Sequence, residues 1–269
     1  MSEPPPPPGP PPVPPPPPPP PEPPGPPGPP TPPPPPGPPG PPVPGGYGTT
    51  TAAPAKERIR LAYQGRAETD YIFSFWTAFG WTLLTCGIYG FYVLYQLVRR
   101  ARDHNRRRLE LLDAATTYAW EQAESRGLTD ELRPNFDRIG THLAVLRQMT
   151  TDFRDPVIWT VLSIIASGIV HIVIYVLLDQ DLVKHDANEG AVEAELAAIY
   201  ERLGASVPTP DPSRVKGQHN YVARIIVTLV TCGIYGLWWL YDVMVEWNRH
   251  FETNWVWEDG LANAVQTMP

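Results

Sequence analysis

Hydrophobic and polar positions divide the chain into three long apolar runs separated by periodic, charged stretches. Tyr71 to Val98 is 28 residues without an Asp, Glu, Lys or Arg. Val157 to Leu178 is a second run of 22, interrupted by His171, and Ile225 to Tyr241 gives 17 residues between Arg224 and Asp242. A helix that crosses a bilayer core needs about 20 apolar residues. The second run fits, the third is slightly short, and the first is longer than an untilted span requires. A buried helix of a soluble protein keeps polar positions along one face. These runs do not, and they carry Trp, Tyr and Phe near their ends, where a lipid–water interface places them. The pattern predicts an all-α integral membrane protein with about three membrane helices.

Between the runs the period changes. Leu132, Phe136, Ile139, Leu143, Leu146 and Met149 recur at steps of four and three, a coiled-coil-like stripe. Pro134 falls near the first turn, where it is tolerated. His104 to Arg126 reads as another helix, stopped by Gly127. The short connection predicts a soluble helical hairpin over 105–153, whose stripes either pack on each other or serve a homo-oligomer or a partner helix. Val192, Leu196, Ile199 and Leu203 mark a further helix that ends at Gly204, a natural C-cap, before a stiff linker from Val207 to Pro212. The expected division is a tail (1–54), a first membrane repeat (55–104), the hairpin (105–153), a second membrane segment (154–186), a short helix and linker (187–220), and a second copy of the repeat (221–269).

The repeat is visible letter for letter. Thr85, Cys86, Gly87, Ile88, Tyr89 and Gly90 recur as Thr231, Cys232, Gly233, Ile234, Tyr235 and Gly236. Aromatic residues follow in both copies, Phe91-Tyr92 and Trp238-Trp239, then the pairs Leu94-Tyr95 and Leu240-Tyr241. The same spacing from the central glycine reaches His104 in one copy and His250 in the other. Gly168-Ile169 and His185 fit this frame in the middle run. Glycines three apart permit a kink or a close backbone approach, and Thr can satisfy a freed carbonyl. Each copy therefore reads as a membrane helix, a glycine break and an interfacial helix. The alternative is a binding site at the break, as in transporters with discontinuous helices. An apolar run, this hexapeptide and a charged helix together resemble the uncharacterised bacterial membrane family called domain of unknown function 4234, over Phe73 to Asn105 and Val222 to His250. The resemblance implies membrane localisation and brings no activity, cofactor or catalytic residue. The middle run departs from it, with Ser167 and Val170 in place of Cys and Tyr.

Composition changes the picture mainly at the N-terminus. Of 39 prolines, 33 precede residue 55. Such a tail cannot bury a core, so it is predicted to be disordered polyproline II, reaching on the order of 100 Å. It is either a spacer or a ligand for a Pro-motif-binding protein. No cleavable signal peptide is legible. The net charge of −7 argues against nucleic acid as a partner. Cys86 and Cys232 form no CxxC pair, so neither a disulfide framework nor a zinc site is expected. Arg99, Arg100, Arg102, Arg106, Arg107 and Arg108 are the densest basic cluster. They place the loop 99–156 in the cytoplasm, or attract anionic headgroups of the lipid bilayer. Three single spans would put the tail outside. A re-entrant first run, broken at Gly87, would keep both flanks inside, and Lys56, Arg58, Arg60 and Arg66 ahead of it favour that cytoplasmic tail.

Chemistry is sparse. The six histidines are scattered, without a His-x-x-x-His pair, and no phosphate loop, serine elbow or EF-hand is present. No catalytic, cofactor-binding or metal-ligating residue is named, and an enzyme is not expected. His171, ionisable within an apolar run, is a functional candidate by default, against a neutral imidazole bonded to a neighbouring helix. Asp179 and Asp181 read as the end of a span rather than a cation site, Asn248 and His250 as interfacial polar residues. The expected function is a membrane-anchored scaffold with a recruiting tail. The alternative is a small transporter or channel component using the glycine breaks.

Overall fold

A computed structural model describes residues 53–268, so the expectations for the proline-rich tail lie outside the described residues. The first apolar run does not continue as one helix. The helix α3 (Phe75–Leu84) ends where Cys86 and Gly87 take left-handed φ values of 50° and 93°. The Gly87 N–H donates to the Thr82 carbonyl (2.8 Å) and the Cys86 N–H to that of Leu83 (3.1 Å), a Schellman closure. The Thr85 hydroxyl donates to the Trp81 carbonyl (2.8 Å) and accepts the Tyr89 N–H (2.9 Å), so one side chain ends a helix and caps the next. The chain then folds back as α4 (Ile88–Ser125), with the Cβ position of Gly90 only 3.5 Å from the Thr82 methyl. The second hexapeptide repeats this arrangement between α8 (Tyr221–Val230) and α9 (Ile234–Thr267). There Cys232 and Gly233 have φ of 49° and 91°, and the Gly233 N–H reaches the Thr228 carbonyl at 2.8 Å. The middle run breaks at Ala166, between α6 (Pro156–Ile165) and α7 (Ser167–Arg202), without a left-handed residue.

The structure therefore contains three helix–break–helix units on one plan, the middle one included. Each short arm is 10 residues, and the long helices are 38, 36 and 34. Each short arm packs on its own long helix and on one from another unit: α3 on α4 and α9, and α6 on α7 and α4. The α8 arm packs on α9, and its Tyr221 hydroxyl donates to Asp179 of α7 at 2.5 Å. Leu94, Leu97, Ile174, Leu178, Trp239 and Val243 fill the core among the hairpins. The distal halves of the long helices make a second core with α1 (Ala55–Gln64) and α5 (Thr129–Thr151), while α2 (Arg66–Thr69) packs beside α4. Leu132, Phe136, Ile139, Leu143 and Leu146 of α5 are buried there, α5 lying on α4 and α7. Both α4 and α7 run unbroken through 104–105 and 186–187, where the sequence had suggested boundaries.

The all-α expectation holds. Among the described residues, however, no helix is long and apolar enough to cross a membrane. The 28-residue run that looked too long for one span is a hairpin, and a 10-residue arm is about 15 Å long. The reading of the arginine cluster also changes. Arg99 and Arg106 are exposed and Arg102 is half-buried, whereas Arg100, Arg107 and Arg108 are buried within the protein. Their positions on α4 turn them towards the other long helices, a consequence of helical phase that charge density does not reveal.

Candidate functional site

Counted from Gly87, Gly168 and Gly233, the same helical position is histidine in all three units. In the folded chain His104 of α4, His185 of α7 and His250 of α9 meet. Their ring centroids are 5.6, 5.1 and 5.7 Å apart, and each is at most 2% exposed. Glu189, one turn beyond His185, brings its Oε2 to 3.2 Å from His250 Nε2 and 3.6 Å from His185 Nε2. Each of the four side chains offers one donor atom, and these atoms lie within 4.8 Å of one another.

Carboxylates behind the triangle orient two of the rings. His104 Nδ1 donates to Asp70 Oδ1 at 2.9 Å, and His250 Nδ1 to Asp186 Oδ1 at 3.2 Å. Each bond places the Nε2 of that ring towards the centre. His104 Nε2 and both nitrogens of His185 are buried without a hydrogen-bond partner. The Asn254 amide lies 3.2 Å from His250 Nε2 and donates to Glu189 Oε2 at 3.0 Å. Burial pushes His104 down to about 3, against the pull of Asp70, so this ring is neutral. Burial also raises Asp70, but the His104 ring, Arg107 and the Trp255 indole outweigh it and hold the carboxyl well below its ordinary range. His250 differs. Burial opposes its charge, yet Asp186 and Glu189 together keep it above the usual histidine value.

A continuous ion-pair network surrounds the triangle. Arg107 donates to Asp70 (2.6 Å) and Glu258 (2.8 Å), and Arg108 to Glu258 (3.0 Å), Glu189 and Glu193. Arg214 donates to Glu193 (2.6 Å), Asn254 (2.8 Å) and Asp186. Five acidic groups (Asp70, Asp186, Glu189, Glu193, Glu258) thus face three guanidiniums, an excess of acids over bases around three imidazoles. Arg214 enters from the linker after α7. That linker closes on α9 at Gly260, where a Cβ would lie 2.1 Å from the Pro208 ring. A smaller group, Asp179, His219 and Glu246, lies at the base of the third hairpin. Its acids are already engaged: Tyr221 donates to Asp179 (2.5 Å), while Lys216 lies 3.2 Å from Glu246 and also bonds Asp242 (2.8 Å).

Of the residues singled out from the sequence, His104, His185, His250, Arg107 and Arg108 meet at this centre and the others fall elsewhere. Both hexapeptides shape hairpin turns, with Cys86 and Cys232 exposed. His171 stands where the other units have Gly90 and Gly236, and it lines a cavity of about 380 Å³ with Phe75, Phe79, Tyr175, Leu237 and Met244. The reading of Asn248 and His250 as interfacial is corrected. His250 is fully buried, and Asn248 accepts from the Phe73 N–H (3.1 Å) and Arg100 (2.6 Å) while donating to the Phe73 carbonyl (2.8 Å). Residues that sequence reasoning passed over include Asp70, Glu189 and Arg214. The equal spacing of the three histidines was the one available signal.

Over the described residues, fold and site define an all-helical body of three helix–break–helix units around a buried histidine and carboxylate centre. Residues 73–118 and 219–262 match the family described as Domain of unknown function (DUF4234), so the chain carries two copies of that domain. Each matched segment contains a short arm, the hexapeptide and the histidine beyond it; the middle unit shares the architecture outside the matched residues. No curated protein and no solved structure matches the chain.

Proposed function

We propose that the protein is a membrane anchor of the monotopic kind, with its three hairpin tips embedded in one leaflet and its remaining helices on the cytoplasmic face. The observation that carries this reading is the exposure of equivalent aliphatic residues at all three tips. Leu84, Ile165 and Val230 are 72, 78 and 77% exposed, and Ile88, Ile169 and Ile234 across each break are 72% exposed. An arm of about 15 Å matches half of a hydrocarbon core roughly 30 Å thick. Hairpins keep both flanks of each run on one side, which accommodates the basic residues found before and after the first run. Arms of this reach favour anchoring over transport. The anchored body would hold the proline-rich tail at the membrane as a recruiting segment.

The two native cysteines permit a test without mutagenesis. Nitroxides attached to Cys86 and Cys232 of the full chain in vesicles should be accessible to oxygen and shielded from an aqueous nickel chelate. Labels that respond to the chelate as strongly as in detergent-free water would end the anchoring reading. Affinity capture from crosslinked membranes, with and without residues 1–54, tests recruitment separately; identical captured material would reduce the tail to a spacer.

A further inference from the structure

We propose that His104, His185, His250 and Glu189 form a closed binding site for one divalent first-row transition-metal ion of the zinc class, which ties the three long helices together. The inference does not depend on membrane anchoring.

Four features lead to it. First, the donors converge from every long helix, and neutral imidazoles with a carboxylate are the ligand set that suits zinc and its neighbours. Three nitrogen donors disfavour calcium and magnesium, which take oxygen. Secondly, His104 and His250 are each held through Nδ1 by a carboxylate, Asp70 and Asp186. Metal-bound histidines are oriented in this way, with Nε2 left to bind. Thirdly, His104 Nε2 and both His185 nitrogens are buried without a hydrogen bond. Burying unbonded polar atoms is costly, and His104 Nε2 together with one nitrogen of His185 calls for a shared partner. Fourthly, the surrounding network holds five carboxylic groups against three guanidiniums, and with Glu193 protonated it still holds four, so it favours a cation at the centre.

The distances are compatible. Donors about 2.0–2.1 Å from a tetrahedral zinc lie roughly 3.3 Å from one another. Glu189 Oε2 is 3.2 Å from His250 Nε2 and 3.6 Å from His185 Nε2. All four donor atoms lie within 4.8 Å of one another, so the wider pairs must draw in by up to about 1.5 Å when the ion binds. Binding displaces the Asn254 amide from His250 Nε2, and any proton carried there leaves with the ion's arrival. Four buried protein donors leave no open position, which assigns the ion a structural role rather than a catalytic one.

The test uses the full chain isolated in mild detergent. Metal content is measured as isolated; the chelated protein is then titrated with Zn²⁺, and with Co²⁺ as an optical probe. One equivalent per chain, visible cobalt bands of a tetrahedral nitrogen–oxygen site, and a raised Tm are expected. Asp70→Asn should weaken binding about 10- to 100-fold, as loss of an outer-shell partner does. His185→Gln should weaken it further, and His142→Gln, outside the cluster, should bind as the parent does. If His185→Gln fails to fold, Asp70→Asn decides. A folded parent without stoichiometric metal, cobalt bands or a Tm shift overturns the proposal, since water or a proton then fills the centre. Unchanged binding by folded Asp70→Asn and His185→Gln overturns it equally.

Discussion

Val230→Asp at the third hairpin tip isolates the anchoring interaction from the fold. Val230 is the last residue of α8 and is 77% exposed, so its side chain contributes little to the core. An acid at a helix C-terminus costs about 0.3–1 kcal/mol through the dipole, a small change in stability. In the bilayer the change is much larger. At the end of an arm about 15 Å long, the tip reaches the middle of the hydrocarbon. There valine contributes about −0.3 to −0.6 kcal/mol and aspartate costs about 2.5–3.5, a difference of roughly 3–4 kcal/mol. Partitioning should therefore fall by two to three powers of ten, at about 1.4 kcal/mol per tenfold. Co-flotation of cell-free-synthesised full chain with liposomes measures this directly. Leu84→Asp and Ile165→Asp should behave alike, because their exposures are 72 and 78%. Val256→Asp, on the distal half of α9 and 63% exposed, should float as the parent does. Normal helicity and Tm combined with undiminished flotation of all three tip variants would refute the reasoning.

Three further outcomes follow from the same geometry. Gly233→Ala places a side chain at φ 91° and should lower stability by about 1–2 kcal/mol, with Gly87→Ala (φ 93°) matching it in denaturant titration; a neutral result at both would deny the turn its strain. Arg108→Met leaves Glu189, Glu193 and Glu258 short of a buried counter-charge and should cost about 3–5 kcal/mol; a loss below about 1 kcal/mol would mean the network is already neutralised by protons. Burial, reinforced by Glu189 and only partly offset by Arg108 and Arg214, raises Glu193 from 4.5 to about 7. Its proton is held more tightly in the fold than in the unfolded chain. The stability this supplies is complete below about pH 4.5 and lost as pH rises through about 7. In chelator, Tm should fall between about pH 5 and pH 8, and Glu193→Gln should flatten the fall; parallel profiles would contradict the assignment.

The hairpin turns are local structures, and their chemistry is written in adjacent letters. Gly87 supplies a left-handed residue, Thr85 caps both helices, and Gly90 admits the returning arm, so the repeated hexapeptide announced its own break. The apolar runs likewise announced a surface that avoids water. Their length misled, because 28 uncharged residues read as one long span or as two arms of a hairpin with the same hydropathy. Only the hydrogen bonds at Cys86 and Gly87 separate the two.

By itself the sequence determined the all-helical class, the repeat, the break and the equal placement of His104, His185 and His250 within their units. It could not show that these histidines meet. Residues 81 and 65 positions apart in the chain become neighbours only when three long helices pack side by side with their units in register. Arg214 is further from legible still, since a surface-looking linker carries it into the core to Asp186 and Glu193. Short-range hydrogen bonds act between residues a few places apart and are spelled locally. Charge pairing and ligand convergence depend on distances through space, which only the packed helices set.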